Sequence, residues 1–510
     1  MKTDNGESRS SWMAVPGIRA EPELAADVDV DVCVIGAGIA GLTTAYFLSG
    51  EGQRVLVLDD GPVAGGETCR TTAHLVNAPD AWFTEVERLH GAVGARVAAE
   101  SHTAAIDRIE EIVRRENIRC GFRRLDGYLY TEPRESTETL EKELQAAHAA
   151  GLGDVELVEK VPFDSFETGA ALRFPRQGQF HVLEYVKGLA RAIERNGGRI
   201  HRNTHAAEIE GVSDASARVE TSRGATVRAR AVVVATNSPV NDRLVIHTKQ
   251  APYRTYVIGA RVPRGSVPRL LLWDTADPYH YVRLQPVGDS HDLLIVGGED
   301  HKTGQADDMA NRYRRLEKWT RERFRRVSKV EFRWSGQVME PVDGLAFIGA
   351  NPLDKGSVFI ATGFSGTGMT YGTIAGILLT DLVQGRKNEW AETYDPSRKT
   401  LGSAAEFAEE NLNVAAQYTD LVTPGGVESA RNIKRDRGGV LRRGLSKVAA
   451  YRNSDGKLEE HSAICPHLGC VVRWNPGEMT WDCPCHGSRY HRDGHVVNGP
   501  ANRGLTDVEK

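Results

Sequence analysis

The sequence predicts an α/β protein in which a dinucleotide-binding domain is interrupted by an antiparallel β-sheet and followed by a small all-β domain. Three observations predict this fold class. Residues 29–60 read as strand, glycine turn, helix and strand, and several stretches between residues 253 and 297 alternate like strands. From Leu445 onward, short strand-like runs surround a group of cysteines. A chain of 510 residues is also long enough for two or three domains.

The βαβ unit of residues 29–60 predicts a dinucleotide site. Residues 30–35 are apolar and rich in β-branched side chains, residues 42–48 follow a helical pattern, and residues 54–58 read as a second strand. Glycines at G-x-G-x-x-G spacing leave bare backbone for a pyrophosphate at the helix N-terminus, and an acid about 20 residues later suits a ribose hydroxyl. The candidate cofactor residues here are Gly36, Gly38, Ile39, Ala40, Gly41, Asp59 and Asp60.

Composition and charge exclude several classes of partner. The net charge of -5 argues against nucleic acid and anionic membrane surfaces as partners. The first 28 residues show no signal peptide, and no apolar run reaches the length of about 18 residues that a membrane span needs. We therefore expect a cytoplasmic protein without a membrane span, whose residues 1–28 form a loose tail or a strap over the surface.

Three later segments extend the dinucleotide pattern. Residues 61–77 (GPVAGGETCRTTAHLVN) form a glycine and threonine loop, residues 180–240 contain a helix and buried strands, and residues 357–385 read as strand, glycine loop and long apolar helix. With the first unit, they resemble the D-amino acid oxidase and glycine oxidase family of flavoproteins. The resemblance implies an FAD-binding Rossmann-like domain of the glutathione reductase type, with an inserted antiparallel substrate sheet.

The resemblance also implies particular cofactor contacts. A glycine loop at a helix N-terminus can bring free amides and the positive end of a dipole to the flavin, which stabilises an anionic reduced flavin. The implied residues are Arg70, Thr71, Thr72, Ala73 and His74 beside the isoalloxazine ring, Ala206 beside the adenine, Ala235 and Thr236 at a strand end, and Gly363, Ser365, Gly366, Thr367, Gly368 and Met369 in the second glycine loop.

The strand-like stretches of residues 253–297 concentrate aromatic and basic side chains. In the resembling family this sheet covers the substrate above the flavin, with aromatic residues around the amine and a basic residue on any carboxylate. Arg254 or Arg283 would do the latter through a bidentate fork. Residues 121–131 predict a hairpin at the start of this sheet domain, and residues 309–327 predict a basic helix. The substrate-site candidates are Tyr253, Arg254, Tyr279, His280, Tyr281 and Arg283; no catalytic base is identified.

The C-terminal Cys/His pattern is the most specific in the chain. Cys465-Pro-His467 and Cys483-Pro-Cys485-His486 resemble the Rieske iron–sulfur family. The match implies that Cys465 and Cys483 bind one iron of a 2Fe-2S cluster and that His467 and His486 bind the other. It also implies a disulfide between the remaining pair, Cys470 and Cys485, hydroxyl donors at Ser488 and Tyr490, and a covering loop at Asn498, Gly499 and Pro500. A zinc site is the competing interpretation of the spacing.

A flavin and a one-electron centre on one chain predict a dehydrogenase-type function. We expect an FAD-dependent enzyme that oxidises a C–N bond of an amine or amino acid by hydride transfer and passes electrons singly through the Rieske cluster to an external acceptor or dioxygen. Three alternatives stay open: an NAD(P)H-linked reductase, for which the sequence has no second nucleotide motif; a Rieske oxygenase, for which it has no persuasive iron triad; and a flavin oxidase whose cluster domain is a redox sensor or docking module.

The predicted domain boundaries follow from these segments. Residues 1–28 form the N-terminal tail, and residues 29–390 form the oxidoreductase, with FAD-binding segments at about 29–80, 180–245 and 331–390. Residues 391–425 are expected to be a linker, and residues 426–510 the Rieske domain.

Overall fold

The structure is a computed structural model that describes residues 5–241, 245–352 and 354–508. Three predicted segments include residues outside this description: residues 1–4 of the tail, residues 242–244 of the second FAD-binding segment and residues 509–510 of the Rieske domain.

Twenty-four strands are distributed over the described part of the chain. In chain order they are β1 (Val28–Ile35), β2 (Val55–Leu58), β3 (His74–Leu75), β4 (Arg123–Tyr130), β5 (Glu156–Val158), β6 (Ala171–Gln179), β7 (Arg199–His201), β8 (Ala206–Ser213), β9 (Ser216–Thr221), β10 (Thr226–Val234), β11 (Gln250–Pro263), β12 (Leu271–Asp274), β13 (His280–Val287), β14 (His291–Lys302), β15 (Val330–Pro341), β16 (Phe347–Ala350), β17 (Val358–Thr362), β18 (Arg437–Arg443), β19 (Ser446–Arg452), β20 (Leu458–Ser462), β21 (Arg473–Asn475), β22 (Thr480–Asp482), β23 (Arg489–His491) and β24 (Val496–Asn498).

Eight α-helices accompany these strands in the described residues. They are α1 (Ile39–Gly50), α2 (Phe83–Arg115), α3 (Glu138–Ala149), α4 (Val182–Arg195), α5 (Met309–Arg323), α6 (Gly368–Val383), α7 (Ala391–Tyr394) and α8 (Ala404–Gln417). Helix α2 is interrupted by a non-helical Gly91, and α5 ends at Arg323, before the predicted residue 327.

The first sheet confirms the predicted dinucleotide fold. Its strands follow the order β16-β17-β10-β1-β2-β7, and β1 pairs in parallel with both β2 and β10. Strand β1 is buried over its last residues, and the wholly buried β2 follows it through α1. Helices α1 and α6 pack against each other, so both begin at the same edge of the sheet, where the parallel strands end.

The second sheet is mainly antiparallel and confirms the inserted sheet. Its order is β15-β11-β14-β13-β12-β4-β6-β3, with β5 beside β6. An apolar core on one face lies against α5, where Leu316 is buried. Because β15 returns the chain to the first sheet through β16 and β17, the two sheets enclose space between them.

The predicted hairpin at residues 121–131 is wrong. The structure has one strand there, β4, which lies between β6 and β12. The Asp126-Gly127 pair, which looks like a turn in the sequence, instead lies at a register shift in the β4–β6 pairing. A Cβ atom on Gly127 would come within 2.8 Å of the Trp273 ring, so glycine is needed for close packing at this point.

The C-terminal region contains two small antiparallel sheets, β18-β19-β20 and β21-β22-β23-β24. This all-β arrangement confirms the last part of the predicted fold class. The segment before β1 is a strap rather than a loose tail, since Trp12 and Met13 are buried in the main core. Residues 391–425 contain α7 and α8, and α8 begins after Ser403.

Candidate active site and cluster site

A cavity of about 720 Å³ lies where the two large sheets and the C-terminal region meet. Its wall includes the glycine turn after β1, the start of α6, residues of β11 and β15, and the loop around β24. The volume is typical of a cofactor and ligand pocket. Most of the residues that the sequence singled out therefore lie around one space.

The glycine turn has the shape that a dinucleotide requires. Gly36 has a φ of +102°, and a Cβ atom there would lie 2.5 Å from the Ala235 carbonyl oxygen. A Cβ atom on Gly41 would lie 1.9 Å from the Gly36 oxygen, so only glycine permits this close contact. The Ala37 amide donates to Asp59 Oδ2 at 2.6 Å, which holds the predicted ribose carboxylate beside the turn. The residues present therefore fit an FAD.

Most predicted cofactor residues line this cavity. They are Gly36, Gly38, Ile39, Ala40, Asp59, Asp60, Arg70, Thr71, Thr72, His74, Ala206, Ala235, Thr236, Ser365, Gly366, Thr367, Gly368 and Met369. Three others lie behind the wall. Gly41 is inside α1, Ala73 is fully buried, and Gly363 turns the chain with a φ of +74° at the end of β17. The individual cofactor contacts stay predictions.

The loop of residues 70–74 is held from both sides by groups that the sequence did not assign to it. Trp12 Nε1 donates to the Thr71 carbonyl oxygen at 2.6 Å. Arg283 Nη1 donates to the carbonyl oxygens of Thr72 and Ala73 at 2.9 and 2.7 Å. Burial lowers the pKa of His74 to about 3, so this ring lines the cavity as a neutral group.

Thr68 is a further residue that the sequence analysis missed. Its Oγ1 accepts a hydrogen bond from the Ile39 amide at 3.0 Å, and the residue lines the cavity. A threonine in a glycine-rich loop carries no recognisable signal by itself, because the partner amide belongs to another segment.

The six substrate-site candidates separate into two groups. Tyr253, Tyr279 and Tyr281 line the cavity. Arg254, His280 and Arg283 do not belong to its described lining. Arg283 supports the loop described above. His280 Nδ1 lies 2.9 Å from Asp274 Oδ2, and its ring stacks on Trp319 at 4.3 Å, so it fixes α5 to the sheet.

Arg254 lies at the boundary with the C-terminal region instead of above the flavin. Its Nη1 donates to Ser335 Oγ at 2.7 Å, and its guanidinium lies within 4.0 Å of Glu478 and 3.8 Å of Asp482. Neither Arg254 nor Arg283 belongs to the described lining of the cavity, and the expectation that one of them holds a substrate carboxylate stays a prediction. Arg254 instead lies near buried acids of the C-terminal region, and Arg283 Nη1 donates to backbone carbonyl oxygens.

Three acids that the sequence did not single out, hereafter the cavity acids, line the space beside the tyrosines: Asp80, Asp300 and Glu340. Asp80 accepts from the Gly366 amide at 3.1 Å, and Tyr279 Oη donates to it at 3.5 Å. Burial, and then the charge of Asp80, raises the pKa of Asp300 to about 7. Burial and the charges of Asp80 and Asp300 raise the pKa of Glu340 to about 8. No local motif marks these acids, because they converge only in the fold.

The start of α6 faces the same cavity. Residues 365–369 line it, and Thr367 is the N-cap residue of this 16-residue helix. The positive end of the helix dipole therefore faces the cavity. The contact of this end with the flavin stays a prediction.

Two loops of the C-terminal region assemble the predicted cluster site. Cys465 and His467 lie between β20 and β21, and Cys483 and His486 lie between β22 and β23. The two imidazole rings are 5.0 Å apart and nearly perpendicular. His486 Nδ1 is buried and has no hydrogen-bond partner among the described residues, as suits a metal ligand. Burial lowers the pKa of His486 to about 3, which keeps it a neutral ligand. The donor set fits a Rieske cluster.

The surroundings of the cluster site also follow the implied pattern. Cys470 and Cys485 form a disulfide, with their Cα atoms 6.5 Å apart. Tyr490 Oη lies 3.0 Å from Cys465 Sγ, and Ser488 Oγ accepts from the Ala501 amide at 3.0 Å. The disulfide joins the two ligand loops, because Cys470 belongs to one loop and Cys485 to the other.

The cluster site lies directly against the oxidoreductase part. The ring of His247, which is buried, is 4.9 Å from the ring of His467 and 6.1 Å from that of His486. Gln337 lines the cavity, and its Nε2 donates to the Gly487 carbonyl oxygen at 2.9 Å. One side chain therefore spans from the cavity wall to the residue after a predicted cluster ligand.

The covering loop of the cluster is also part of the cavity wall. Residues 496–499, 501 and 502 line the cavity. Asn498 Nδ2 donates to Glu67 Oε1 at 3.3 Å, and Asn502 Nδ2 donates to the Ala206 and Ala207 carbonyl oxygens at 2.9 Å. The C-terminal region therefore completes the predicted FAD site beside Ala206.

A group of buried charges, hereafter the interface charge cluster, fastens the two parts together; its members are Arg70, Arg254, Arg489, Glu478 and Asp482. Glu478 is 2 % exposed, and Arg70 lies 3.3 Å from it. Burial acts to raise the pKa of Glu478, but the three guanidinium groups outweigh it and lower this pKa to about 2.

The N-terminal strap closes the interface charge cluster. Ser8 Oγ donates to Glu478 at 2.5 Å, and Arg489 Nη1 donates to Asn5 Oδ1 at 2.8 Å. Asn5 also donates to Glu67 at 3.1 Å. The segment that carried no functional signal in the sequence thus contacts both parts at their junction.

Comparisons with known proteins agree with this geometry. The family described as FAD dependent oxidoreductase (DAO) matches residues 31–382, and the Rieske [2Fe-2S] domain family matches residues 426–509. The chain is 30% identical to the putative Rieske 2Fe-2S iron-sulfur protein YhfW of Bacillus subtilis over 503 residues, which cover 98% of this chain and 97% of that protein.

Two further proteins are similar over the oxidoreductase part. The gamma-glutamylputrescine oxidoreductase of Escherichia coli is 27% identical over 396 residues, or 74% of this chain and 90% of that protein. The crystal structure of glycine oxidase from Geobacillus kaustophilus superposes with a TM-score of 0.61 at 19% identity, covering 73% of this chain and 99% of the other, which shows a shared fold.

Within residues 5–241, 245–352 and 354–508, no helix has both the length and the apolar character to cross a bilayer. The cytoplasmic location predicted from the sequence stays a prediction.

Proposed function

The chain belongs to the DAO family of FAD-dependent oxidoreductases and has a C-terminal Rieske [2Fe-2S] domain, and from this premise we propose that it oxidises a C–N bond of an amine or amino acid and passes the electrons singly to an external acceptor. Its cofactors are FAD and a Rieske cluster. When bound, FAD accepts two electrons as a hydride and the cluster carries one electron at a time. A relative that acts as a gamma-glutamylputrescine oxidoreductase supports C–N oxidation.

One observation supports the electron route: the cavity wall contacts the loop that carries the predicted ligand His486. Gln337 lines the cavity and donates to Gly487, which follows His486. The cluster-covering loop lines the same cavity. A cluster domain that only sensed redox state or bound partners would not need to share a wall with the flavin site.

The chain's own residues support the reaction in three ways. The amides at the start of α6 offer positive charge where negative charge develops on reduction. Tyr253, Tyr279 and Tyr281 form an aromatic side of the cavity that limits water beside the reacting carbon. The Trp12 and Arg283 hydrogen bonds hold the loop of residues 70–74 in place.

Anaerobic mixing separates this function from its alternatives. Purified protein is mixed with a panel of amines and amino acids, and separately with NADH, while flavin absorbance and the cluster EPR signal are followed. We expect a C–N donor to bleach the flavin and then reduce the cluster. Bleaching by NADH alone would favour the reductase, and a cluster that stays oxidised beside a reduced flavin would favour the sensor or docking module.

The Gln337→Leu variant sharpens the test. We expect flavin reduction by the donor to keep its rate and the later reduction of the cluster to slow, because the side chain that joins cavity and cluster loop is lost. The matched control is Gln305→Leu, since Gln305 also donates to the cluster loop, at Pro484, but lies outside the described lining of the cavity.

A further inference from the structure

The charges around the cavity point to a substrate class. Three acids, Asp80, Asp300 and Glu340, come from the loop after β3, from β14 and from β15. No ion pair of these cavity acids is found in the described part of the chain. Asp300 Oδ1 is buried and has no hydrogen-bond partner there. Burial disfavours the ionised form of Asp300 and Glu340, so a cation bound in the cavity would stabilise their carboxylates.

The cavity offers no compensating cation of its own. Arg70 is the one arginine or lysine in its described lining, and its guanidinium is bound by Glu478, Ser8 and the Ser335 carbonyl oxygen. Lys302, whose charge acts on Glu340, forms an ion pair with Glu410 at 2.8 Å. A substrate carboxylate placed here would meet carboxyl groups instead of a guanidinium fork.

Aromatic rings complete the arrangement. Tyr279 and Tyr281 have ring centroids 5.5 Å apart, and Tyr279 also contacts Asp80. Tyr281 bonds to Thr255 at 2.7 Å, next to Asp300. Carboxylates beside tyrosine faces are the combination that binds an alkylammonium group, through charge and through cation–π contacts.

Resting on the proposed function, we propose that the substrate is an aliphatic amine with two or more basic nitrogens and no free α-carboxylate, bound by Asp80, Asp300 and Glu340. One nitrogen stays protonated and anchors the molecule. The other nitrogen gives its proton to one of the cavity acids, so that the neutral amine can react. One C–H bond breaks as a hydride leaves for FAD, and a C=N bond forms with loss of the N–H proton. Water then hydrolyses the C=N bond, which releases an aldehyde and either ammonia, from a primary amine, or an amine, from a substituted one.

The raised pKa values of the acids agree with this arrangement. With a pKa of about 7, Asp300 can accept a proton from an ammonium group near neutral pH, whereas an ordinary aspartate could not. Charged neighbours on the packed elements are Arg312 and Glu299, which face Asp300, and Lys302 and Glu410, which face Glu340.

Binding is tested apart from turnover. The probe is 1,4-bis(trimethylammonio)butane, which has no N–H and cannot be oxidised at this centre; trimethylglycine, with one cation and one carboxylate, is the matched comparison. Isothermal titration of the FAD-loaded protein should show binding of the dication and none of trimethylglycine. Asp300→Asn and Glu340→Gln should each lower the affinity for the dication by about tenfold or more. Glu322→Gln, on the exposed face of α5, should leave this affinity unchanged. Equal binding to all variants would overturn the proposal.

Turnover then separates this proposal from the proposed function. Diamines should bleach the flavin with a higher kcat/KM than matched α-amino acids. If α-amino acids are the better donors, the substrate class is wrong and C–N oxidation stands. If the dication binds as expected but no amine or amino acid bleaches the flavin, the cation site stands and C–N oxidation is wrong. Far-UV circular dichroism checks that each variant is folded.

Discussion

Two groups of acidic side chains, one at the junction with the Rieske domain and one around the cavity, differ in their surroundings. At the junction with the Rieske domain, Glu478 lies among three guanidinium groups that lower its pKa to about 2. Around the cavity, Asp300 and Glu340 have no ion pair among the described residues, and their pKa values rise to about 7 and about 8. The comparison indicates that Glu478 stabilises the fold, whereas Asp300 and Glu340 are available to a ligand in the cavity.

The physical reason lies in the balance between desolvation and pairing. Both regions remove carboxyl groups from water, which disfavours their charged form. Of these two groups, the interface charge cluster offsets the cost of burial with guanidinium groups, those of Arg70, Arg254 and Arg489. Replacing a carboxyl group by an amide should therefore destabilise the protein at the interface charge cluster. The same replacement among the cavity acids should stabilise the ligand-free protein.

The largest expected effect comes from breaking the paired region. Glu478→Gln leaves three buried guanidinium groups without their shared carboxylate, and we expect the free energy of unfolding to fall by about 3–5 kcal/mol. Denaturant unfolding followed by tryptophan fluorescence measures it. The exposed Glu428→Gln is the control and should change the value by less than about 0.5 kcal/mol. If Glu478→Gln lowers the free energy of unfolding no more than the loss of an exposed ion pair would, Glu478 does not stabilise the junction as stated.

The pH dependence of the same group should be the next largest effect. The folded pKa of Glu478 is about 2 and lies below its ordinary value of 4.5. The stabilisation is therefore complete above about pH 4.5 and is lost as the pH falls toward 2, by about 1.4 kcal/mol per pH unit. The stability difference between the wild type and Glu478→Gln should shrink over this range. A difference that is constant from pH 6 to pH 3 would rule out this linkage.

Substitution of a cavity acid should change the free energy of unfolding in the opposite direction. The pKa of Asp300 rises from 3.8 to about 7, so in the ligand-free protein its ionisation costs stability as the pH rises above 4. We expect Asp300→Asn to raise the free energy of unfolding by about 1 kcal/mol at pH 8 and to have no such benefit at pH 4. Thermal unfolding at both pH values checks this. Destabilisation at pH 8 would mean that the carboxylate has a partner.

The smallest expected effect concerns one hydrogen bond inside the Rieske domain. Tyr490→Phe removes the hydroxyl 3.0 Å from Cys465 Sγ. Losing a donor to a ligand sulfur should lower the reduction potential of the cluster by about 45 mV, which corresponds to about 1 kcal/mol for one electron. A redox titration followed by EPR measures it. Tyr451→Phe, whose hydroxyl bonds to Asp436, is the control and should leave the potential unchanged.

Motifs that are local in the chain were predictable. The glycine turn, the second glycine loop and the Cys/His pairs each lie within one segment, so spacing alone brings their residues together. The Asp-Gly pair at Asp126 was misread because a turn signal and a strand irregularity use the same residues. The N-terminal strap gave no signal, since its partners Glu478 and Arg489 lie at the other end of the chain.

The sequence by itself determined the fold class and the two cofactors and predicted four cluster ligands, because those features depend on short-range patterns of backbone and ligand type. Only the tertiary structure decided that Arg254 and Arg283 bond to neighbouring protein groups and that Asp80, Asp300 and Glu340 lie around one cavity. The reason is physical. Whether a buried charge is paired depends on neighbours from distant segments, and those neighbours come together only when the sheets and the Rieske domain pack against one another.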